Sequence, residues 1–470
     1  MSDQSNDPAV SQAEQPSQGT ADTQATMATA TSGEPETKLQ AGFLLLMVYA
    51  MLFGAVFGLV AAAWLTIYDL GVKFFQEPSH FGLNIGQFWP LVLLTVGGLL
   101  LGLAIKFTGQ HGGLGVPQRQ YAEMGRIQYR YLPSIVLESL ISLFSGAAIG
   151  PEAPLAFLGG GLGSLIADRL NIEKDDVPIL VYSAVAGVFG GFFGNPLVGM
   201  IVSLEYMFIH RTSYMRHLIP GFLAASFGFA TYYAVLHTSL LGIIVLPKYP
   251  TPRLQDLGWA ILIGLLCGVI GTLFKVIFGV VHLVFTPLKK RPVICAVVGG
   301  VVIGLIGSFV PLTLYSGQVQ IQSIINNPAA YSVGFLLLLC LVKILLTSTS
   351  FATGFDGGPI FPFIFMGGTL GLAIHGIFAF IPESVGVTAT MAGITSALFP
   401  IPLSVVLVLG LMGGQPDLLP VIGIGAIFGF LTSRALAPLL PKRRISSTSS
   451  GEARTPATPA VTSTGEAETT

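Results

Sequence analysis

Charged residues are scarce in this chain. Asp, Glu, Lys and Arg together make up 10% of its 470 residues, whereas an ordinary soluble domain carries about 25%. Hydrophobic residues make up 52%. The chain therefore lacks the surface charge that a soluble globule needs. Its apolar runs suffice for about ten or more helices, at about 20 residues per full crossing, and we predict an integral membrane protein with several spans.

Cysteine is also rare, and the charges nearly cancel. The three cysteines, Cys267, Cys295 and Cys340, show no paired spacing, which favours packing over a disulfide or a metal site. A net charge of -1 argues against a large basic surface for nucleic acid. No pair of reactive residues has a hydrolytic or redox arrangement. We therefore expect neither an enzyme nor a bound cofactor.

One thirteen-residue string occurs twice. Residues 151–163 read PEAPLAFLGGGLG and residues 359–371 read PIFPFIFMGGTLG, with seven identical positions. A second pair of matching segments follows the two copies, one from Ala186-Gly187 to Pro196-Leu197 and the other from Ala392-Gly393 to Pro402-Leu403. The chain is therefore a duplication with an offset of 206 to 208.

Both copies of the string begin with Pro-x-x-Pro ahead of an apolar, glycine-rich run. Proline in a first turn indicates a helix start whose N–H groups are free. Such N–H groups and the helix dipole favour an anion, and interrupted helices at matching places in two halves indicate a transporter's binding site. The copies differ at one acidic position, where Glu152 in the first corresponds to Ile360 in the second.

The polar ends of the chain differ from its apolar centre. Residues 1–40 and 442–470 are rich in Ser, Thr and Ala, and we expect disordered tails with no regulatory domain. Residues 41–441 form the predicted transmembrane domain, with repeats at about 90–240 and 290–440. Basic residues gather in short connections, and the positive-inside rule places these connections and both tails in the cytoplasm.

Three glycine- and proline-rich motifs occur in a defined order. Gly113-Leu114-Gly115-Val116-Pro117, then Gly150-Pro151-Glu152-Ala153-Pro154, then Gly357-Gly358-Pro359-Ile360-Phe361-Pro362 resemble the GSGIP, G(K/R)EGP and GxFxP signatures of the CLC chloride channels and proton/chloride antiporters. The resemblance covers roughly residues 90 to 440. It implies an all-α, inverted-repeat fold, a homodimer in the plasma (inner) membrane, and Glu152 as a gating glutamate.

The resemblance also implies an anion site built mainly from backbone groups. The positions that match are Gly113, Leu114, Gly115, Ala153, Ile360 and Phe361. Some side-chain and backbone donors of the family are missing here. Leu114 replaces a serine hydroxyl, Pro359 has no N–H, and the expected tyrosine falls near Leu439 or Leu440. We expect weak anion binding at the central site, because an unpaired ion in an apolar medium is costly.

A second acid of the family's antiporters is replaced. The proton-feeding glutamate would fall one residue after Glu205, where this chain has Tyr206. Tyrosine, with an unperturbed pKa near 10, is a poor proton carrier at neutral pH. The replacement favours uncoupled conduction, although Glu205 could substitute if the helix were rotated.

Three further ionisable residues in apolar surroundings have more than one interpretation. Glu138 either packs against a polar partner or the dimer surface, or belongs to a proton path. Asp356 either orients its loop or lies at a vestibule. Lys343 either snorkels to an interface or acts on the pore field.

For the whole chain, a chloride channel gated by Glu152 and sensitive to pH and voltage is the first hypothesis. A proton-coupled chloride or fluoride antiporter and a non-conducting sensor or scaffold are the alternatives.

Overall fold

The fold is helical throughout the part of the chain that the structure describes. The computed structural model describes residues 34–82, 85–113, 115–207, 214–238, 244–249 and 251–439. Within these ranges it has sixteen α-helices and no β-strand, as predicted for an all-α protein. The first eight are α1 Glu34–Gln76, α2 Trp89–Thr108, α3 Val116–Met124, α4 Leu132–Phe144, α5 Glu152–Arg169, α6 Val177–Phe193, α7 Pro196–Tyr206 and α8 Tyr214–Leu236. The second eight are α9 Leu254–Phe285, α10 Pro292–Phe309, α11 Gln318–Asn326, α12 Val333–Ala352, α13 Ile360–Ile377, α14 Glu383–Leu398, α15 Pro402–Met412 and α16 Leu419–Leu436.

The helices repeat as two sets of eight, α1 to α8 and α9 to α16. Helices α5 and α13 have 18 residues each, and α7 and α15 have 11 each. Helix α1 packs on α8 as α9 packs on α16, and equivalent helices α2 and α10 pack against each other. The repeats thus include α1 and α9, which the predicted bounds of 90–240 and 290–440 left out. Helix α1 also begins at Glu34, inside the stretch expected to be a polar tail.

Many of the helices are long and apolar enough to cross a bilayer. Eight candidate spans lie within the described ranges, and α6, α7 and most of α15 are shorter apolar helices. In the α13 span, 83% of the most apolar window is buried inside the protein. A helix surrounded by other helices can begin at membrane depth, because neighbouring protein groups satisfy its free backbone N–H groups.

Lys343 on α12 is fully buried, with 0% exposure, so the snorkelling interpretation is wrong. Its Nζ donates hydrogen bonds to the carbonyl oxygens of Thr313 at 3.0 Å, Leu314 at 3.4 Å and Tyr315 at 2.6 Å. It also lies 5.1 Å from the ring centroid of Phe365. An ammonium group has three donors, and here all three bind backbone. Lys343 therefore fixes the irregular segment that leads into α11.

Lys343→Met is expected to destabilise the protein by about 3 kcal/mol or more, because three interior carbonyl groups lose their donor and each unpaired group costs about 1–3 kcal/mol. Thermal unfolding of the purified protein in detergent measures the effect. Lys275→Met is the matched control, since that half-buried ammonium makes one hydrogen bond, to Ser433. Equal unfolding temperatures for the two variants would contradict this role of Lys343.

Candidate functional site

The two repeats meet through a reciprocal pair of backbone hydrogen bonds. The Gly150 N–H donates to the Gly358 carbonyl at 2.7 Å, and the Gly358 N–H donates to the Gly150 carbonyl at 2.6 Å. The two glycines occupy equivalent positions in the duplication. Since each bonds the other in the same way, the two halves are related here by a local two-fold axis. The loops before α5 and α13 are therefore held side by side.

Glu152 binds the helix of the opposite half. It is the first residue of α5, and its Oε1 accepts a hydrogen bond from the Ile360 N–H, the first of α13, at 2.7 Å. The side chain is 1% exposed, and Oε2 has no hydrogen-bond partner. The carboxylate therefore lies where free N–H groups and the α13 dipole favour an anion.

Gly150 and Gly358 also provide the space for the Glu152 carboxylate. A Cβ on Gly150 would overlap Oε2, and a Cβ on Gly358 would overlap Cδ of the same side chain. Neither glycine has a positive φ, so their backbone conformation does not require glycine. Glycine is required at both positions because a residue without a Cβ leaves room for the Glu152 carboxylate. On the other side of this site, Trp64 of α1 donates from Nε1 to the Pro151 carbonyl at 3.2 Å.

The first glycine-rich motif reaches the site through Asp356. Gly113 and Gly115 have φ values of 133° and 80°, a region that favours glycine. Leu114 lies outside the described residues. The backbone here lies against the Asp356 carboxylate: a Cβ on Gly112 would come within 2.6 Å of Oδ2, and the Gly113 N–H interacts with the same carboxylate. Asp356 precedes Gly357-Gly358, so all three motifs converge.

Hydroxyl groups of α4 orient Asp356. Ser139 Oγ donates to Asp356 Oδ2 at 2.9 Å, and the Asp356 N–H donates to Ser142 Oγ at 3.1 Å. One residue before Ser139, Glu138 Oε1 accepts from Thr108 Oγ1 at 3.1 Å. Both serines are fully buried. Of the two interpretations of Asp356, this geometry supports a role in orienting the loop.

Glu205 and Tyr206 have different surroundings. The Glu205 carboxylate accepts hydrogen bonds from the N–H groups of Leu403 at 3.2 Å and Ser404 at 2.6 Å, and so caps the N-terminus of α15. Tyr206 is buried against Phe189 and Phe399, with ring centroids 5.8 Å and 6.1 Å away. The Tyr206 hydroxyl interacts electrostatically with both Glu152 and Asp356. The Tyr206 hydroxyl is also hydrogen-bonded to Gln118.

Most of the remaining residues predicted for the anion site lie at the starts of helices. Ala153 and Phe361 lie in the first turns of α5 and α13, and Gly115 is the N-cap of α3. Leu439 is 78% exposed, and Leu440 lies outside the described residues. Sequence reasoning missed the Gly150–Gly358 pairing and the role of Trp64. The offset of 208 between the two glycines was the available signal for the pairing.

Comparison with known proteins identifies the family of this chain. Residues 97–434 match the family described as voltage gated chloride channel. The chain belongs to that family. As a CLC protein it transports anions across a membrane, and its apolar spans make it an integral membrane protein.

Individual relatives of this CLC chain are distant. A protein of Salmonella typhimurium named "Putative ion-transport protein YfeO" is 26% identical over 358 residues, which cover 75% of this chain and 85% of that protein. The crystal structure of a slow cyanobacterial Cl-/H+ antiporter aligns with a TM-score of 0.74 and 20% identity, covering 83% of this chain and 94% of that one. A CLC-type fluoride/proton antiporter aligns with a TM-score of 0.68 and 18% identity, covering 83% and 96%. These structures share the fold, which confirms the predicted CLC architecture.

Proposed function

We propose that this CLC chain conducts chloride down its gradient and that the Glu152 carboxylate is the gate. The observation that carries this proposal is the hydrogen bond from the Ile360 N–H to Glu152 Oε1 at 2.7 Å. The first N–H of α13 is a group that would bind a permeating anion, and a carboxylate occupies it. A chloride ion and the deprotonated side chain compete for one position.

The charge of Glu152 sets the outcome of this competition. A deprotonated carboxylate is held by a charge-assisted hydrogen bond, which is about twice as strong as a neutral one. Protonation removes the charge and weakens the attraction to the α13 N-terminus. External acid and chloride therefore both favour the open state. If the carboxylate moves within the membrane field, opening also depends on voltage.

Uncoupled conduction is supported by the residues beside Glu152. An obligatory exchanger needs a group that passes protons between the gate and the second aqueous face. Tyr206 occupies the matching position, and a phenol with an unperturbed pKa near 10 rarely ionises at neutral pH. Glu205 is occupied by its two hydrogen bonds to the start of α15.

Proton-coupled exchange of chloride or fluoride is the second candidate. Two buried carboxylates, Glu138 and Asp356, lie beside the first glycine-rich motif, and they could hold protons that Tyr206 does not. The similar structures described as Cl-/H+ and fluoride/proton antiporters add support from relatives with the same fold. Because the chain belongs to this family, we also propose that it forms a homodimer in the plasma membrane, with one anion pathway per subunit.

Reconstitution into liposomes with simultaneous recording of anion and proton movement tests the proposal. We expect chloride efflux down its gradient with no net proton transport against a gradient. Uphill proton movement in a fixed ratio to chloride would show that the protein is an exchanger and does not conduct chloride uncoupled from protons. Absence of any anion flux from protein that is folded and correctly inserted would contradict both. Fluoride in place of chloride, under the same gradient, measures selectivity.

A further inference from the structure

Glu138 and Asp356 form a buried acidic pair that the gate does not use. They come from α4 and from the loop before α13, they act on each other electrostatically, and they are 1% and 6% exposed. Glu138 Oε1 and Asp356 Oδ2 each accept one side-chain hydroxyl, whereas Glu138 Oε2 has no partner although it is buried. An unbonded carboxylate oxygen in this surrounding is a place for a proton or a cation.

Within the described residues, neither carboxylate forms an ion pair with Lys, Arg or His. Asp356 is the titratable group that acts on Glu138, and hydrogen bonds from Ser139 and Gly113 act on Asp356. The charged groups on the segments packed against α4 have other positions or partners: Lys106, Arg130 and Arg169 are exposed, Lys73 pairs with Asp69 on α1, and Asp168 of α5 pairs with Arg126. In the loop that lies against Asp356, the His111 ring stacks on Tyr131 at 3.9 Å. Two adjacent carboxylates without a cation are costly to bury in fully ionised form.

The pair has a short connection to water. Thr108, which donates to Glu138, is the last residue of α2 and is exposed, as are Gly109 and Gln110 after it. A proton can therefore reach Glu138 from the aqueous face at this end of α2. In the other direction, the Tyr206 hydroxyl interacts with both Asp356 and Glu152. Glu138 is thus bonded to Thr108, and Asp356 lies two residues before Gly358, which borders the Glu152 carboxylate.

We propose that Glu138 and Asp356 form a second proton-binding site, which takes up a proton at one of the two carboxyl groups and exchanges it with water at Thr108. The charge of Asp356 then sets how firmly it holds Gly112 and Gly113, the loop that would contribute N–H groups to the anion pathway. The effect on that pathway rests on the proposed anion function. Proton binding by the pair does not rest on that function, because it follows from the burial of the two carboxyl groups and from the absence of an ion pair to either of them.

Infrared difference spectroscopy of the full-length protein in lipid, recorded between low and high pH, detects the protonated carboxyl groups directly. We expect a carbonyl band of protonated acid that persists to higher pH than that of the exposed acids, with one component lost in Glu152→Gln and another shifted to lower pH in both Glu138→Gln and Asp356→Asn. That component shifts in either variant because removing one carboxyl group relieves the like-charge repulsion on the other. Glu123→Gln, at an exposed position of α3, is the matched control and keeps both components.

Thr108→Val provides a milder variant if the carboxyl substitutions impair folding. It removes a hydroxyl that donates to ionised Glu138, so the pair's component is expected to titrate at higher pH. The proposal is overturned if Glu138→Gln and Asp356→Asn spectra match the control, or if only one of them shifts the component. It is also overturned if replacing a large organic cation by Na⁺ abolishes the component, which would make the pair a cation site. Anion flux measured on the same preparation shows separately whether the proposed transport function holds.

Discussion

Glu152→Gln is expected to leave anion flux in place and to abolish its response to the pH of the outer solution. Glutamine retains an oxygen that can accept the Ile360 N–H, but it carries no charge at any pH. A hydrogen bond to a charged group contributes about 2 kcal/mol and a neutral one about 1 kcal/mol, so the difference of about 1 kcal/mol shifts the balance between gate and anion about fivefold. Flux in the variant should therefore equal or exceed that of the acidified wild-type protein.

Chloride efflux from liposomes, measured at outer pH values between about 4 and about 8, covers the titration of an ordinary glutamate and the range above it. Wild-type flux should rise as the pH falls, since protonation releases the α13 N-terminus. Glu123→Gln is the control, because it makes the same chemical change on an exposed surface. A Glu152→Gln profile that still follows that of the wild type would exclude Glu152 as the gate.

The sequence predicted the parts of the site that depend on local chemistry. The repeated Pro-x-x-Pro string indicated two helix starts, and α5 and α13 begin one residue after Pro151 and Pro359. The same string indicated free N–H groups and an acid in one copy only. These predictions succeeded because proline and glycine constrain the backbone within a few residues. Nothing in these strings indicated that the carboxylate of one half would bind the N–H of the other.

Contacts between remote residues could not be predicted in this way. Ser139 and Asp356 are 217 positions apart, and their contact depends on how α4 packs beside the loop before α13. Lys343 was equally ambiguous, because a lysine in an apolar helix can reach an interface or lie in the interior. Its actual partners are carbonyls of an irregular segment with no sequence signature. The inclusion of α1 and α9 in the repeats was missed because their apolar runs carry no recognisable motif.

The two acidic groups beside the signatures occupy comparable positions. Glu152 accepts the N–H of Ile360 from the third motif, and Asp356 interacts with the N–H of Gly113 from the first. Each carboxylate therefore takes a backbone donor that would otherwise serve an anion. A chain that lacks a serine hydroxyl at Leu114 and an N–H at Pro359 has few donors left. The charge state of two carboxyl groups then controls much of the remaining capacity to bind an anion.

Gly358→Ala is expected to displace the Glu152 carboxylate and to open the pathway at neutral pH. The added Cβ would overlap Cδ of Glu152, and φ at this position is not in the region reserved for glycine. Alanine is therefore compatible with the backbone but not with the closed position of the side chain. Complete loss of the bond to Ile360 shifts the balance by about thirtyfold at about 2 kcal/mol, and the flux assay should show loss of pH dependence.

A double-mutant cycle distinguishes two possible roles of Gly358: leaving space for the Glu152 carboxylate, and supporting the loop through its backbone hydrogen bonds. In a Glu152→Ala background the obstructed group is absent, so Gly358→Ala should change flux by less than about twofold, which is about 0.4 kcal/mol. Gly258→Ala on α9 is the matched control, because its Cβ would meet open space. An equal effect of Gly358→Ala with and without the Glu152 side chain would show that the glycine serves the backbone pairing with Gly150 and not the gate.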